Sequence, residues 1–161
     1  MPTLEPANTP NFALYDARGT DPDLVLSSER SACVHCLYSG PSADTLASVA
    51  PYIEDIPDTA RLAEVKNDGN PKIFLHSGAD LEDTRKHFRK FTFVALEDGR
   101  TMYFRFYDPL VLNVFLPTCS ADQLASFFGP TDAFWAPSED SGGWIRYSLT
   151  KGRLEATTVS L

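Results

Sequence analysis

FTFVALEDGRTMYFRFYDPLVLNVFLPTCSADQLASFFGP, residues 91–130, holds the densest structural punctuation in the chain. Residues 91–96 and 101–107 are rich in β-branched and aromatic side chains, and Asp98-Gly99 between them signals a tight hairpin. In the second strand the alternation predicts Met102, Phe104 and Phe106 on a core face, with Tyr103, Arg105 and Tyr107 on the other. At Asp108-Pro109 the period changes from two to 3.6. Asp108 is suited to accept from the orphan N–H groups of a first helical turn, and Pro109 suits the first helical position. Leu110, Val111, Val114 and Phe115 form the expected apolar stripe, and Pro117 is expected to stop the helix. Ser120 and Gln123 have capping-box spacing for a second helix, closed by Gly129 and the breaker Pro130. The reading is strand, strand, helix, helix.

The same residues carry a resemblance. FRFYDP (104–109), FLPT (115–118) and FFGP (127–130), in that order, resemble the effector-chaperone (adaptor) family of bacterial type VI secretion systems. FALYD, APYIEDIP and IFLHSGADLEDTRKHFRKF, further upstream, also sit where that family has counterparts, so the likeness spans roughly residues 11–136. Phe104, Phe106, Asp108, Pro109, Pro117, Phe128, Gly129 and Pro130 are the motif positions, and an architectural role is expected for them. The resemblance implies a chaperone that holds a cognate type VI effector and helps load it onto the VgrG spike, with no cofactor and no turnover. Many members of that family continue into a larger C-terminal lobe, whereas here few residues follow the motif block.

Composition bounds the remaining possibilities. A chain of 161 residues fits one domain, expected over 11–161 behind a disordered leader at 1–10. Its 43% hydrophobic and 12% aromatic content can build a sizeable core. A net charge of −8 argues against general binding to nucleic acid or anionic membranes, because the long-range field repels phosphate. No apolar run reaches the roughly 18 residues of a membrane span. The first ten residues lack the basic and apolar regions of a signal peptide. Three cysteines form no disulfide framework and suit a reducing cytosol, so a cytoplasmic location is expected.

Taken in order, residues 12–16 read as a strand, and Asp21-Pro22 opens a brief helix through Leu24, Val25 and Ser28. Residues 32–38 form the next strand, 43–49 a short helix and 52–56 a strand. Asp58 caps a helix that buries Leu62 and Val65, and 73–76 is a strand after the turn cluster at 68–71. This alternation favours a mixed α/β architecture, one sheet with parallel strands and flanking helices. The helix at 79–90, which Ser77 is expected to cap, turns Leu81, Thr84, Phe88 and Phe91 inward. Its charges run from acidic to basic, as the helix dipole prefers. Residues 133–136 read as a strand, 138–143 as a loop, and 144–149 with 154–159 as a terminal hairpin.

Each chemical constellation has a plainer alternative. Cys33-Val34-His35-Cys36 invites a metal or redox reading, but residues three apart on a strand diverge, and no second Cys/His pair stands at zinc spacing. His76-Ser77-Gly78 lacks the glycines of a nucleophile elbow. Most carboxylates sit at turns and helix starts, where capping explains them. The basic residues between Arg85 and Lys90 read either as a solvated helix end or as a positive patch for an acidic partner. Two candidate partner-binding groups follow. One is Tyr103, Arg105 and Tyr107, unless Arg105 pairs with Asp16 or Asp108 in the core; the other is Arg85 and Arg89. The expected class is a binding module and not an enzyme. The alternatives are a small hydrolase or metal enzyme using His35 and Cys33, and an immunity-type inhibitor protein.

Overall fold

A computed structural model describes residues 8–17 and 33–161. Its elements run β1 (Phe12–Asp16), β2 (Val34–Cys36), α1 (Pro41–Thr45), β3 (Pro51–Asp55), α2 (Thr59–Lys66), β4 (Lys72–Ser77) and α3 (Leu81–Arg89). They continue through β5 (Phe93–Ala95), β6 (Thr101–Tyr103), α4 (Pro109–Thr118), α5 (Ala121–Phe128), β7 (Thr131–Pro137), β8 (Trp144–Thr150) and β9 (Arg153–Val159). Seven strands make one sheet in the order β2-β3-β1-β4-β7-β8-β9, and β5 with β6 forms a separate ribbon. The mixed α/β class and both hairpins are present. The expected helix at 21–28 and leader residues 1–7 lie outside the described residues.

The expected parallel strands are replaced by antiparallel neighbours throughout the large sheet. The cause is one insertion. β3, α2 and β4 form a crossover whose two strands run the same way, but β1 lies between them and pairs with both in the opposite sense. A sequence shows the crossover and does not show what fills the gap it leaves.

Both faces of the sheet are covered, so its inner strands read as near-continuous apolar runs. On one face Leu14, Ile53, Ile73, Leu75 and Phe134 pack with Phe88 of α3, Leu112 and Leu116 of α4, and Leu124, Phe127 and Phe128 of α5. On the other, Ala13, Tyr15, Tyr52, Phe74 and Trp135 pack with Val65 of α2. Thr84 and Phe88 of α3 are buried, with Leu81 and Phe91 packed against the same core, as the stripe predicts.

Helix starts follow the local chemistry. Asp58, Asp80 and Asp108 each accept from a backbone N–H of the first turn, and Ser120 with Gln123 makes both bonds of a capping box. Ser77 is not the α3 cap; its hydroxyl accepts from Ala79 N–H at 3.2 Å and from Thr84 Oγ1 at 2.8 Å. Pro117 lies inside the last turn of α4, which runs on to Thr118.

Two expectations inside residues 91–130 are corrected. The second strand ends at Tyr103, not Tyr107. Its partner is short because Phe91 and Thr92 hydrogen-bond back onto the end of α3, and Phe104 N–H then donates to Thr92 O at 3.0 Å. Residues 105–108 form a turn, so Phe106 and Tyr107 are both buried although adjacent, while Met102 is 54% exposed. The α4 stripe is the second correction. Leu112 and Leu116 are buried with Pro109, whereas Leu110 and Val114 face outward. The helix is apolar on nearly every side, so periodicity had no contrast from which to choose a face.

Candidate functional site

The turn at 105–108 brings the three expected strand residues to one place. Tyr103, Arg105 and Tyr107 line a cleft of about 180 Å³ with Asp16, Tyr38, Leu46 and Val49. Tyr38 stacks on Phe93 at 5.6 Å and meets Tyr103 at 6.1 Å, which fastens the β5–β6 ribbon to the body of the protein. Burial, reinforced by the neighbouring Tyr107 and Tyr103, pushes the Tyr38 phenol well above its usual range. Burial also raises Tyr107, and the Asp16 carboxylate adds to it. Both phenols therefore stay neutral and act as hydrogen-bonding walls, not as bases. A space of this size suits one side chain of a partner, since ligand pockets run to about 300–1,000 Å³.

Arg105 lies between two carboxylates. Its guanidinium is 2.8 Å from Asp16 and 3.6 Å from Asp108. Burial is the largest single influence and works against its charge, yet Asp16, Asp108 and Tyr107 together outweigh it and the net shift is upward. These contacts join β1 to the start of α4. Because 40% of the Arg105 side chain remains exposed, its loss should cost less than that of a fully buried pair. Arg105→Ala should destabilise the free protein by about 1–3 kcal/mol. A chemical denaturation curve checks this, and an unchanged midpoint with lost partner capture would reassign Arg105 as a contact.

The two α3 arginines hold the sheet edge. Arg85 Nε donates to Cys36 O and Arg89 Nε to Leu37 O, both at 2.8 Å. They clamp α3 over the last residues of β2, and Arg85 also meets Glu82 at 3.3 Å. Neither Arg85 nor Arg89 lines the Tyr103 cleft, although Arg89 bonds the residue next to Tyr38 in its wall.

Sequence reasoning missed an apolar exposure on α4. On α4, Leu110 is 53% and Val114 70% exposed. With Val111, Phe115 and Thr118 they line a shallow groove of about 500 Å³. Leu110 also borders a second groove of about 610 Å³, walled by Pro71, Pro109, Pro137 and Trp144. The two make a continuous apolar strip whose centre, Leu110, follows the Asp108 cap. The only sequence signal was α4's lack of a polar face.

The sequence FFGP is fixed by packing. Gly129 has φ 52° and ψ −117°, and a Cβ there would lie 2.2 Å from His87 Cε1. His87 Nε2 is 2.7 Å from Phe127 O, and a carbonyl only accepts, so Nε2 carries the hydrogen. Burial lowers the His87 pKa, and Lys90 adds to the effect against the opposing pull of that hydrogen bond. A depressed folded-state value means that the unfolded chain protonates first. Stability that is complete above the unfolded pKa of about 6.5 is therefore lost as pH falls through the folded value. In urea titrations at successively lower pH, the stability advantage of wild type over His87→Gln should shrink below about pH 6.5. A constant gap would count against a buried neutral imidazole.

Cys33, Cys36 and Cys119 are free and half-buried, and burial raises the pKa of Cys36 and of Cys119. Among the described residues no three His, Cys, Asp or Glu side chains gather as metal ligands, and no helix is long and apolar enough to cross a membrane. His76 Nδ1 lies 2.9 Å from Asp132, but Ser77 turns the other way into its contacts with Ala79 and Thr84.

Comparison with curated proteins found no match, and neither did comparison with solved structures. One family model does match, over residues 11–126, from β1 through most of α5, and it takes in the Tyr103 cleft, the α3 clamp and the whole of α4. The chain belongs to the family described as domain of unknown function DUF4123.

Proposed function

We propose that this protein is a cytoplasmic effector chaperone of a type VI secretion system, binding a cognate effector and helping to load it onto the VgrG spike without cofactor or turnover. The observation that carries the reading is the outward apolar strip of α4. Exposed contiguous apolar surface of this kind marks protein-binding sites. Its α4 residues lie within the matched family segment and on the very motif, FRFYDP to FLPT, that resembles the secretion adaptors. Tyr103 and Tyr107, with the aromatic composition of interface anchors, offer a second contact at the cleft. The acidic net charge disfavours nucleic acid as a partner.

The test is co-expression with a candidate type VI effector, followed by co-purification. Val114→Glu puts a charge on the strip without lowering helix propensity. It should weaken capture of that protein by about 2 kcal/mol or more while leaving the melting temperature unchanged. Undiminished capture by the variant would remove the strip from the binding surface. Hydrolytic activity or stoichiometric zinc in the purified chain would instead favour the small-enzyme alternative.

A further inference from the structure

β9 (Arg153–Val159) ends the large sheet, and among the described residues no strand lies on its outer side. The turn before it decides which backbone groups face outward. Lys151 and Gly152 have φ 51° and 76°, and Thr150 faces Arg153 across this two-residue loop. Such a type I′ hairpin closes on a pair that exchanges both hydrogen bonds. Arg153, Glu155, Thr157 and Val159 therefore turn their N–H and C=O groups toward β8. Leu154, Ala156 and Thr158 turn theirs outward. Among the described residues the edge is lightly guarded: β9 has no proline, its register with β8 is unbroken, and its charges are confined to Arg153 and Glu155, leaving 156–159 uncharged.

We propose that β9 pairs antiparallel with β9 of a second copy, about a two-fold axis through Ala156. In that register Ala156 meets Ala156, and Leu154 meets Thr158 in both directions, so every outward-facing residue of the strand finds a partner. Like charges do not meet, since Arg153 lies opposite Val159 and Glu155 opposite Thr157. The axis also carries Lys151 and Arg153 of one copy to the Val159 end of the other. There the 138–143 turn presents exposed Glu139 and Asp140, and a Cβ on its Gly143 would lie 3.2 Å from Val159 O. The self-complementary register, with Ala156 on Ala156 and no like charges opposed, favours a second copy over an unrelated strand. The −8 charge of each copy opposes association, but charges beyond about 8 Å are largely screened at physiological ionic strength. One strand pair is small beside the roughly 1,600 Å² of a standard interface, so the dimer forms in a concentration-dependent way. This inference is independent of the effector reading.

Sedimentation of the full chain in reducing buffer should show a monomer–dimer equilibrium that shifts with concentration. Ala156→Pro deletes an outward N–H and leaves the β8 ladder whole; it should stay monomeric throughout, with unchanged circular dichroism. A second pair of variants decides the register even where that proline unfolds the hairpin. Two Ala156→Cys chains would place their Cα atoms about 5.5 Å apart, within disulfide reach. Two Thr158→Cys chains would be separated by about 13 Å along the strands. Oxidation should therefore cross-link the first above the wild-type level and not the second. A monomer at every concentration, or equal cross-linking at both positions, overturns the proposal.

Discussion

Gly129→Ala is expected to cost about 2–6 kcal/mol, from two separable causes. The first is the backbone. With φ 52° and ψ −117°, Gly129 occupies a region that residues with a Cβ rarely enter, and holding one there costs about 1–3 kcal/mol. The second is packing, because a Cβ would fall 2.2 Å from His87 Cε1. His87 has little room to retreat: its ring lies 4.9 Å from Phe88 and 5.2 Å from Phe91, and Nε2 is committed to Phe127 O. Displacing it adds an overpacking cost of about 1–3 kcal/mol. Against a total stability of about 5–15 kcal/mol, the variant approaches unfolding at ordinary temperature. His87→Ala combined with Gly129→Ala removes the clash and keeps the strain. If the two substitutions together destabilise as much as the sum of the singles, measured by urea unfolding, the packing half of the explanation is wrong.

That site shows which parts of the protein were legible in the sequence. Gly129 was recognisable as a helix terminator because the requirement is local: a left-handed residue must follow the last turn of α5. The same holds for Asp58, Asp108 and the Ser120–Gln123 box, whose partners lie within three residues. His87 as the neighbour of Gly129 was not legible, because 42 positions separate them in the chain and only the docking of α3 on α5 joins them. Face assignments failed where contrast was lacking. In α4 nearly every position is apolar, so the buried pair Leu112 and Leu116 could not be told from the exposed pair Leu110 and Val114. In residues 101–107 alternation suggested one strand, but a strand lasts only as long as its partner, and Phe91 and Thr92 were already bound to α3. The Arg105 pairing with Asp16 and Asp108 was among the alternatives the sequence left open, and both ion pairs are present with Arg105 half-exposed. Buried charge was invisible, since Glu54 and Lys72 look like ordinary surface residues in their strands and lie within the sheet at 0% and 2% exposure.

Those buried charges carry the second large effect. Tyr15 in β1 sits between them: its hydroxyl donates to Glu54 Oε2 at 3.1 Å, and Lys72 Nζ lies 5.7 Å over its ring. Lys72 Nζ donates to Val65 O at 2.5 Å and pairs with Asp68. Glu54 Oε1 accepts from Arg61 of α2 at 2.5 Å. This network fastens α2 to the face of the sheet that the Leu62 and Val65 contacts alone would hold weakly. Arg61 allows an internal comparison, because it bonds two carboxylates at once. Glu54 is fully buried, whereas Glu64, 3.0 Å away on the same helix, is 68% exposed. If distance governed, the two pairs would contribute alike; if desolvation governs, they differ by several-fold. Glu64→Ala should change stability by about 0.5 kcal/mol or less, as exposed helix pairs do. Glu54→Ala should cost about 3–5 kcal/mol, since it strands part of a guanidinium and the Tyr15 hydroxyl in a dry layer. Arg61 keeps 24% of its side chain in water, which places the expected value toward the lower end. Replacing both members of the pair, Glu54→Met with Arg61→Met, should recover part of the loss, because neither then faces the gap left by the other. Urea unfolding of the three variants beside wild type reads all of this from one set of curves. Equal costs for Glu54→Ala and Glu64→Ala would show that the network is wet and that α2 is held by its apolar side alone.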